Sequence, residues 1–186
     1  MTPCLARHWV TKITSRAVEE SQSITADELT SVMQQEQAEL RHQYLLEIAS
    51  CTVALIDTKT RTLDLLSIGD CQAGFQLEAG SFNWLTTCHS LSNQIPSCGT
   101  KNINAGCHDH VVTRCINAKR FIAPDIYNFT LPQNAQFVLA TDGYWREHLE
   151  NKVPLDQVSD DASALTLDFG VSPSAAATEA DNLFLY

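Results

Sequence analysis

Seven consecutive residues indicate a strand that ends at a candidate functional residue: Phe137-Val138-Leu139-Ala140-Thr141-Asp142-Gly143. Four apolar residues in succession predict a buried β-strand. An aspartate and a glycine follow, and glycine permits a backbone turn there at little conformational cost. A buried strand would therefore hold the Asp142 carboxylate at a fixed point, where it would act as a metal ligand, a helix N-cap or a turn residue.

The composition is that of a globular protein. The 186 residues are 44% hydrophobic and 18% charged, which is enough for one domain with its own core. No apolar run is long enough for a membrane span, and no secretion signal is recognisable.

The formal net charge of −10 disfavours nucleic acid and anionic membranes as partners and is compatible with divalent cations. Seven cysteines, an odd number, favour reduced thiols and a cytoplasmic protein. The sequence does not indicate an oligomeric state.

Apolar spacing predicts two helices at the start of the chain. The first runs from Ala6 to about Ser21. The second begins at a capping box formed by Thr25 and Glu28 and continues to about Glu47. Neither contains an obvious catalytic residue, so we expect both to cover a sheet.

From residue 49 onward the pattern changes to short strands and polar turns, which is typical of an antiparallel meander. The predicted strands are residues 51–56, 62–68, 72–77, 82–86, 127–131, 137–140 and 181–186. The other predicted segments are an irregular surface segment at 88–110, a short helix at 111–116, helical turns at 144–150 and a weakly patterned region at 156–180. The whole chain is predicted to be one α+β domain, with a helical pair at 1–48 and a sheet-rich part at 49–186.

Three aspartates share one context, at the ends of predicted strands. Asp70 follows one apolar strand, Asp142 follows another, and Asp181 begins the last. Three carboxylates at one edge of a sheet would form a site of hard oxygen ligands, which Mg²⁺ and Mn²⁺ prefer. Such ions lower the pKa of bound water and polarise phosphoryl oxygens.

The order of these motifs resembles the metal-dependent protein phosphatase family, the PPM or protein phosphatase 2C type. Segments that resemble the family's motifs are Ala49 to Ala54, Ser67 to Ala73, Trp84 to Leu91, Val112 to Ile126, Leu139 to Trp145, and Asp181-Asn182-Leu183. The resemblance implies an antiparallel β-sandwich flanked by helices, an αββα arrangement.

The same resemblance implies a metal centre with Mn²⁺ or Mg²⁺ as cofactor. Asp142 and Asp181 resemble ligands of its two core metals, and Asp70 resembles a ligand of a third. Further motif residues are Gly69, Gly143, Asn182 and His89. A metal-activated water would hydrolyse phosphoserine or phosphothreonine, with no catalytic residue beyond the metal ligands. The implied partner is a phosphoprotein substrate or a regulatory protein.

The sequence also departs from the family pattern. The Asp-Gly-x-Gly-Gly loop, which supplies the aspartate that bridges both metals, and an earlier Arg-x-x-Asn-Glu-Asp segment are absent. Arg146 stands where the family has an aspartate, and Cys71 and Cys88 replace a serine and an aspartate. We therefore expect a domain without the family's N-terminal strands that is weakly active or inactive alone: a truncated product, a fragment or a degenerate relative. The alternative is a catalytically dead binding or regulatory module.

Two other chemistries fit parts of the sequence. A zinc site would use some of Cys88, His89, Cys98, Cys107, His108, His110 and Cys115, although no Cys-x-x-Cys pair occurs. Cys98 is a candidate nucleophile, without a base that the sequence places beside it. Tyr144 and Trp145 are predicted to pack in the core, and Asp160-Asp161 to lie in a solvated loop.

Overall fold

The structure is a computed structural model that describes residues 4–19, 24–77, 80–94, 110–133 and 136–169. Its helices are α1 (Leu5–Glu19), α2 (Ala26–Glu39), α3 (Leu91–Gln94) and α4 (Gly143–Glu150), the last with the wide turns of a π-helix. Its strands are β1 (Ile48–Ala49), β2 (Cys51–Asp57), β3 (Thr62–Ile68), β4 (Gln72–Gln76), β5 (Phe82–Trp84), β6 (Ile116–Asn117), β7 (Asp125–Thr130), β8 (Gln136–Ala140) and β9 (Ala164–Asp168). No helix within these ranges is both long and apolar enough to span a lipid bilayer.

The strands form two antiparallel sheets that pack against each other. The first has the order β2-β3-β7, the second has the order β5-β4-β8-β9, and β1 pairs with β6. Leu63 and Leu65 of β3, Phe75 of β4 and Phe137 of β8 fill the space between the two sheets. The predicted class, an α+β fold of antiparallel sheets with helices against them, is confirmed.

The two long helices cover the other face of the first sheet. Trp9 of α1 and Met33 of α2 pack in one cluster with Leu66 and Ile68 of β3. Because successive side chains of a strand point to opposite faces, Leu65 faces the second sheet while Leu66 faces the helices. β3 is thus buried on both sides and joins the two layers of the core.

Helix α2 begins as predicted but ends earlier. The capping box is present: Thr25 Oγ1 accepts the Glu28 N–H at 3.3 Å, and Glu28 Oε2 accepts the Thr25 N–H at 2.8 Å. The helix ends at Glu39, not near Glu47, and one 3₁₀ turn follows. Leu40 and Tyr44 are both buried, because the Tyr44 N–H still bonds the Leu40 carbonyl at 2.8 Å. This single turn places Leu40 and Tyr44 on the same buried side, so the apolar spacing beyond Glu39 resembles that of a longer helix.

Two further predictions for local structure were wrong. Residues 111–116 are not a helix, because Val112 forms a β-bridge with Ser90 and Ile116 begins β6. The first part of the predicted surface segment is also buried, with His89 only 6% exposed. The backbone N–H of His89 bonds the Gly69 carbonyl, and the Thr113 N–H bonds the His89 carbonyl. These tertiary bonds draw the segment inward, which its polar composition did not indicate.

The weakly patterned region contains a strand that the sequence analysis missed. β9 pairs antiparallel with β8, with Ala164 opposite Ala140 and Asp168 opposite Gln136. Its side chains are mostly exposed, so the strand lacks the long apolar run that marks β8. Hydrogen bonds to β8 hold β9 in the sheet, although its side chains are mostly exposed.

The turn between β3 and β4 depends on glycine at position 69. Gly69 has φ +105°, and a Cβ there would lie 2.1 Å from Ser50 Oγ and 2.7 Å from the Ser50 Cα. We expect Gly69→Ala to lower the free energy of unfolding by at least about 3 kcal/mol, because it adds steric overlap to an unfavourable backbone conformation. Urea unfolding measures this loss.

Gly80 provides a matched control for that substitution. It also has a positive φ, +76°, but a Cβ there meets nothing within 4 Å. Gly80→Ala should therefore cost only about 1 kcal/mol. Equal losses in the two variants would contradict the role given to the contact between Gly69 and Ser50.

Candidate functional site

The register of the second sheet brings the predicted strand-end aspartates to one edge. Gln72 of β4 lies opposite Ala140 of β8. In an antiparallel pair, moving two residues back along β4 corresponds to moving two forward along β8. Asp70 and Asp142 therefore end their segments at the same place, and the two carboxylates interact electrostatically.

Asp70 is buried and held by its neighbours. It is 6% exposed, and its Oδ1 accepts the Ser50 hydroxyl at 2.6 Å. The Asp70 carbonyl oxygen accepts the Trp145 indole N–H at 2.9 Å and the Cys88 thiol at 3.4 Å. These contacts fix the β3–β4 turn beneath helix α4.

Asp142 lies in an electrostatically unfavourable position for a carboxylate. Burial raises the pKa of Asp142, and the nearby charges of Asp70 and Asp160 raise it further. Arg146, one helical turn later, acts in the opposite direction, with its guanidinium 3.5 Å from Asp142 Oδ2. The net effect is a pKa above the ordinary value of 3.8, chiefly because burial disfavours the charged carboxylate.

The third carboxylate at this edge is Asp160, which the sequence analysis assigned only to a solvated loop. The loop is exposed, but its position is defined. The Thr141 hydroxyl donates to the Asp161 carbonyl at 2.7 Å, and the Thr141 N–H bonds the Ser163 carbonyl. A Cβ at Gly143 would lie 2.7 Å from the Asp161 carbonyl oxygen, so glycine permits this close approach.

A sequence signal for Asp160 was present. The acidic pair Asp160-Asp161 shortly precedes the partly apolar stretch of residues 164–167, as Asp181 precedes the apolar residues 183–186 in the sequence. Asp181 and Asn182 lie outside the described residues, so their predicted roles stay predictions. Within the described part of the chain, Asp160 is the aspartate that precedes the strand beside β8.

His89 belongs to a buried polar network that supports the same turn. Its Nδ1 accepts the Gly69 N–H at 2.9 Å, so the ring hydrogen is assigned to Nε2, which donates to Asp125 Oδ2 at 2.8 Å. Arg114 donates to Asp125 Oδ1 at 2.7 Å. Burial acts to raise the pKa of Asp125, but the His89 and Arg114 hydrogen bonds outweigh it and hold that pKa below its ordinary value. The sequence analysis identified His89 and missed both of its charged partners.

Asp142, Arg146 and Asp160 border a polar cleft of about 710 Å³. Its wall includes Gln72, Cys88, Asp142, Trp145, Arg146 and Asp160. The predicted role of Trp145 in the core is consistent with its 6% exposure, but its edge also reaches the cleft.

The described residues do not fit a centre of two metal ions. The Arg146 guanidinium lies beside Asp142 where a cation would bind, and Asp70 is buried and does not line the cleft. Among residues 4–19, 24–77, 80–94, 110–133 and 136–169, no group of three His, Cys, Asp or Glu side chains is placed to hold a metal ion.

The cysteine chemistries are not favoured by the described residues either. Burial raises the pKa of Cys88 to about 11, which leaves its thiol protonated and unreactive at neutral pH. His89 is committed to Gly69 and Asp125. Cys98, Cys107 and His108 lie outside the described residues.

Known proteins are similar to this chain in sequence pattern and in fold. The sequence profile of protein phosphatase 2C matches residues 3–169. The PPM serine/threonine phosphatase MsPP from Mycobacterium smegmatis, solved with cacodylate, is 17% identical with a TM-score of 0.57, over 73% of this chain and 60% of its own. The catalytic domain of PstP with two manganese ions is 12% identical with a TM-score of 0.62, over 86% and 77%. The serine/threonine phosphatase of S. agalactiae is 20% identical with a TM-score of 0.64, over 81% and 63%. No curated protein matches the chain in sequence.

Two antiparallel sheets with helices against them are the fold of the PPM serine/threonine phosphatases, and these structures have that fold. Since the family profile covers most of its residues, the chain belongs to the protein phosphatase 2C family. It spans 60% of the length of MsPP. The manganese ions of PstP indicate metal dependence among its relatives.

The raised pKa of Asp142 predicts a pH-dependent stability effect. An ionised Asp142 destabilises the folded state at neutral pH, and this cost disappears once the carboxyl is protonated. We therefore expect Asp142→Asn to increase the free energy of unfolding by about 1 kcal/mol at pH 7. The gain should shrink as pH falls through the raised pKa and vanish below about 3.8. Chemical unfolding between pH 3 and pH 7 tests this.

Asp156→Asn is the control, because Asp156 is exposed and lies outside the cleft wall. It should leave stability unchanged to within about 0.5 kcal/mol. A destabilised Asp142→Asn protein at pH 7 would show that the ion pair with Arg146 dominates instead.

Proposed function

We propose that this chain is a PPM-type serine/threonine phosphatase domain whose hydrolytic activity, by itself, is very low or absent. The observation that carries the proposal is the guanidinium of Arg146 beside Asp142, the predicted metal ligand. The reaction that the family implies is hydrolysis of phosphoserine or phosphothreonine by water activated on Mn²⁺ or Mg²⁺. The proposed site residues are Asp142 and Asp70, with Asp160 added by its position and Asp181 kept from the sequence.

The charge of Arg146 works against metal binding. A divalent ion about 4 Å from a guanidinium is repelled by about 8 kcal/mol at an effective dielectric constant of 20. The attraction between that ion and a ligating carboxylate oxygen about 2.1 Å away is about 16 kcal/mol on the same scale. Arg146 therefore offsets about half of the contribution of Asp142 to binding a divalent ion.

Arg146 is also not a side chain that moves away freely. Its guanidinium carbon lies 4.6 Å from the centre of the Trp145 ring, in a cation–π arrangement. Its side chain is 14% exposed. The contact with Trp145 and the pairing with Asp142 both favour the position that blocks a metal.

The second candidate is a phosphatase fold that serves as a binding or regulatory module. The same Arg146 contact favours it. In this case the partner is a regulatory protein and not a substrate to be hydrolysed. A cytoplasmic location remains part of the proposal because seven cysteines, an odd number, favour reduced thiols. The proposal includes no nucleic-acid partner, because the net charge is −10.

Hydrolysis of para-nitrophenyl phosphate with Mn²⁺ tests the proposal. We expect a rate at least about 100-fold below that of the PstP catalytic domain assayed in parallel, since losing one charge-stabilising group costs a factor of this size. A rate comparable with that of PstP, abolished by Asp142→Ala, would show that the chain is an active phosphatase.

The Arg146→Asp variant tests the cause separately from activity. Removing the guanidinium and adding a carboxylate should strengthen Mn²⁺ binding at least about 10-fold, measured by calorimetry on the apoprotein. Asp142→Ala in the same background should reverse the gain. If Arg146→Asp leaves Mn²⁺ affinity unchanged, the explanation through Arg146 is wrong.

A further inference from the structure

The wall of the cleft contains a buried acceptor whose bonding is incomplete. Gln72 is 8% exposed, and its amide Nε2 donates to Cys88 Sγ at 2.9 Å. Its Oε1 is buried and has no hydrogen-bond partner among the described residues. An acceptor left unsatisfied in this way is unfavourable, and a donor from a ligand would satisfy it.

The charges around Gln72 indicate the sign of that ligand. The cleft is lined by four carboxylates, Asp142, Glu147, Glu150 and Asp160, and by one guanidinium, Arg146. Glu147 is held by the N–H and hydroxyl of Ser159 at 2.9 and 3.0 Å, and these neutral donors leave its charge in place. The excess is negative, so the cleft attracts cations and repels phosphate.

The size and ligand set of the cleft favour an organic cation over a metal ion. The cleft volume of about 710 Å³ is far larger than the volume of about 30 Å³ that one water molecule occupies in liquid water. No three metal-binding side chains converge among the described residues. An ammonium or guanidinium group instead presents several N–H donors, which match an amide oxygen together with carboxylates.

We propose that this cleft binds a lysine or arginine side chain of a partner protein, with Gln72 Oε1 and Asp160 as acceptors. The inference rests on the proposed function, because it names the chemistry of the partner that replaces a phosphorylated substrate. Arg146 supplies an internal example, since its guanidinium already pairs with Asp142 on one side of the cleft. The incoming cation pairs with the carboxylates that Arg146 leaves uncompensated.

The test is a titration of the ¹⁵N-labelled chain, free of divalent ions, followed by NMR. The probe is the blocked peptide acetyl-Gly-Lys-Gly-Lys-Gly-amide, and the matched control peptide carries norleucine in place of lysine. The readout is the indole N–H of Trp145, which lines the cleft and donates to Asp70. We expect a saturable shift with a Kd of about 1 mM or lower for the lysine peptide alone. Added NaCl should raise the Kd.

Three variants identify the contacts. Gln72→Leu removes the acceptor at similar volume, and Asp160→Asn removes a charge from an exposed position that does not threaten folding. Each should raise the Kd at least about 5-fold. Asp156→Asn, an exposed charge outside the cleft wall, should leave it unchanged. Thermal unfolding shows whether the Gln72→Leu variant is folded. If it is not, the Kd of the Asp160→Asn variant decides whether the cleft binds the lysine side chain.

Several results would overturn the inference. These are the absence of a Trp145 shift at about 10 mM peptide, equal binding of the norleucine peptide, or tighter binding of a phosphoserine peptide. Mg²⁺ that produces the same shift at micromolar concentration and displaces the peptide would make the cleft a metal site. Phosphatase assays on the same sample keep the two proposals apart: a high Mn²⁺-dependent rate refutes the proposed function, whereas the metal-free titration reports on the cation site alone.

Discussion

The candidate site depends on the close approach of the β3–β4 turn to Ser50. Gly69 leaves no room for a Cβ there, and the Ser50 hydroxyl and the Asp70 N–H and carboxylate bond one another. From this turn, His89 holds the Gly69 N–H, and Trp145 of α4 holds the Asp70 carbonyl. One turn thus connects the first sheet, the second sheet and the helix above the cleft.

The charge balance at the cleft separates this chain from a metal-loaded phosphatase. Carboxylates at the ends of β-segments are retained, but the cation beside Asp142 is a guanidinium of the chain itself. The pKa of Asp142 is still raised, chiefly by burial, which shows that one guanidinium does not offset the cost of a half-buried carboxylate near Asp70 and Asp160. The negative charge that remains around this cleft favours the organic cation proposed above over a phosphate group.

At this edge of the sheet, the groups proposed to bind a ligand also destabilise the folded domain. Burying Asp142 among other carboxylates destabilises the fold at neutral pH, and an unsatisfied Gln72 oxygen adds to that cost. The core between the sheets and the helical layer carries the compensating hydrophobic burial. Such locally unfavourable placement is expected where a protein binds a ligand.

The sequence by itself determined the class of the fold, most of the strands, the capping box of α2 and the position of Asp142, because these follow from apolar periodicity and from local backbone chemistry. Only the tertiary structure decided that Asp160 joins the site, that buried His89 bonds the partly exposed Asp125, which Arg114 also bonds, and that Arg146 pairs with Asp142. Strand register and long-range hydrogen bonds place those side chains, and neither leaves a periodic pattern in the residues it joins. β9 was missed for the same reason, since pairing with β8 and not burial holds it in the sheet.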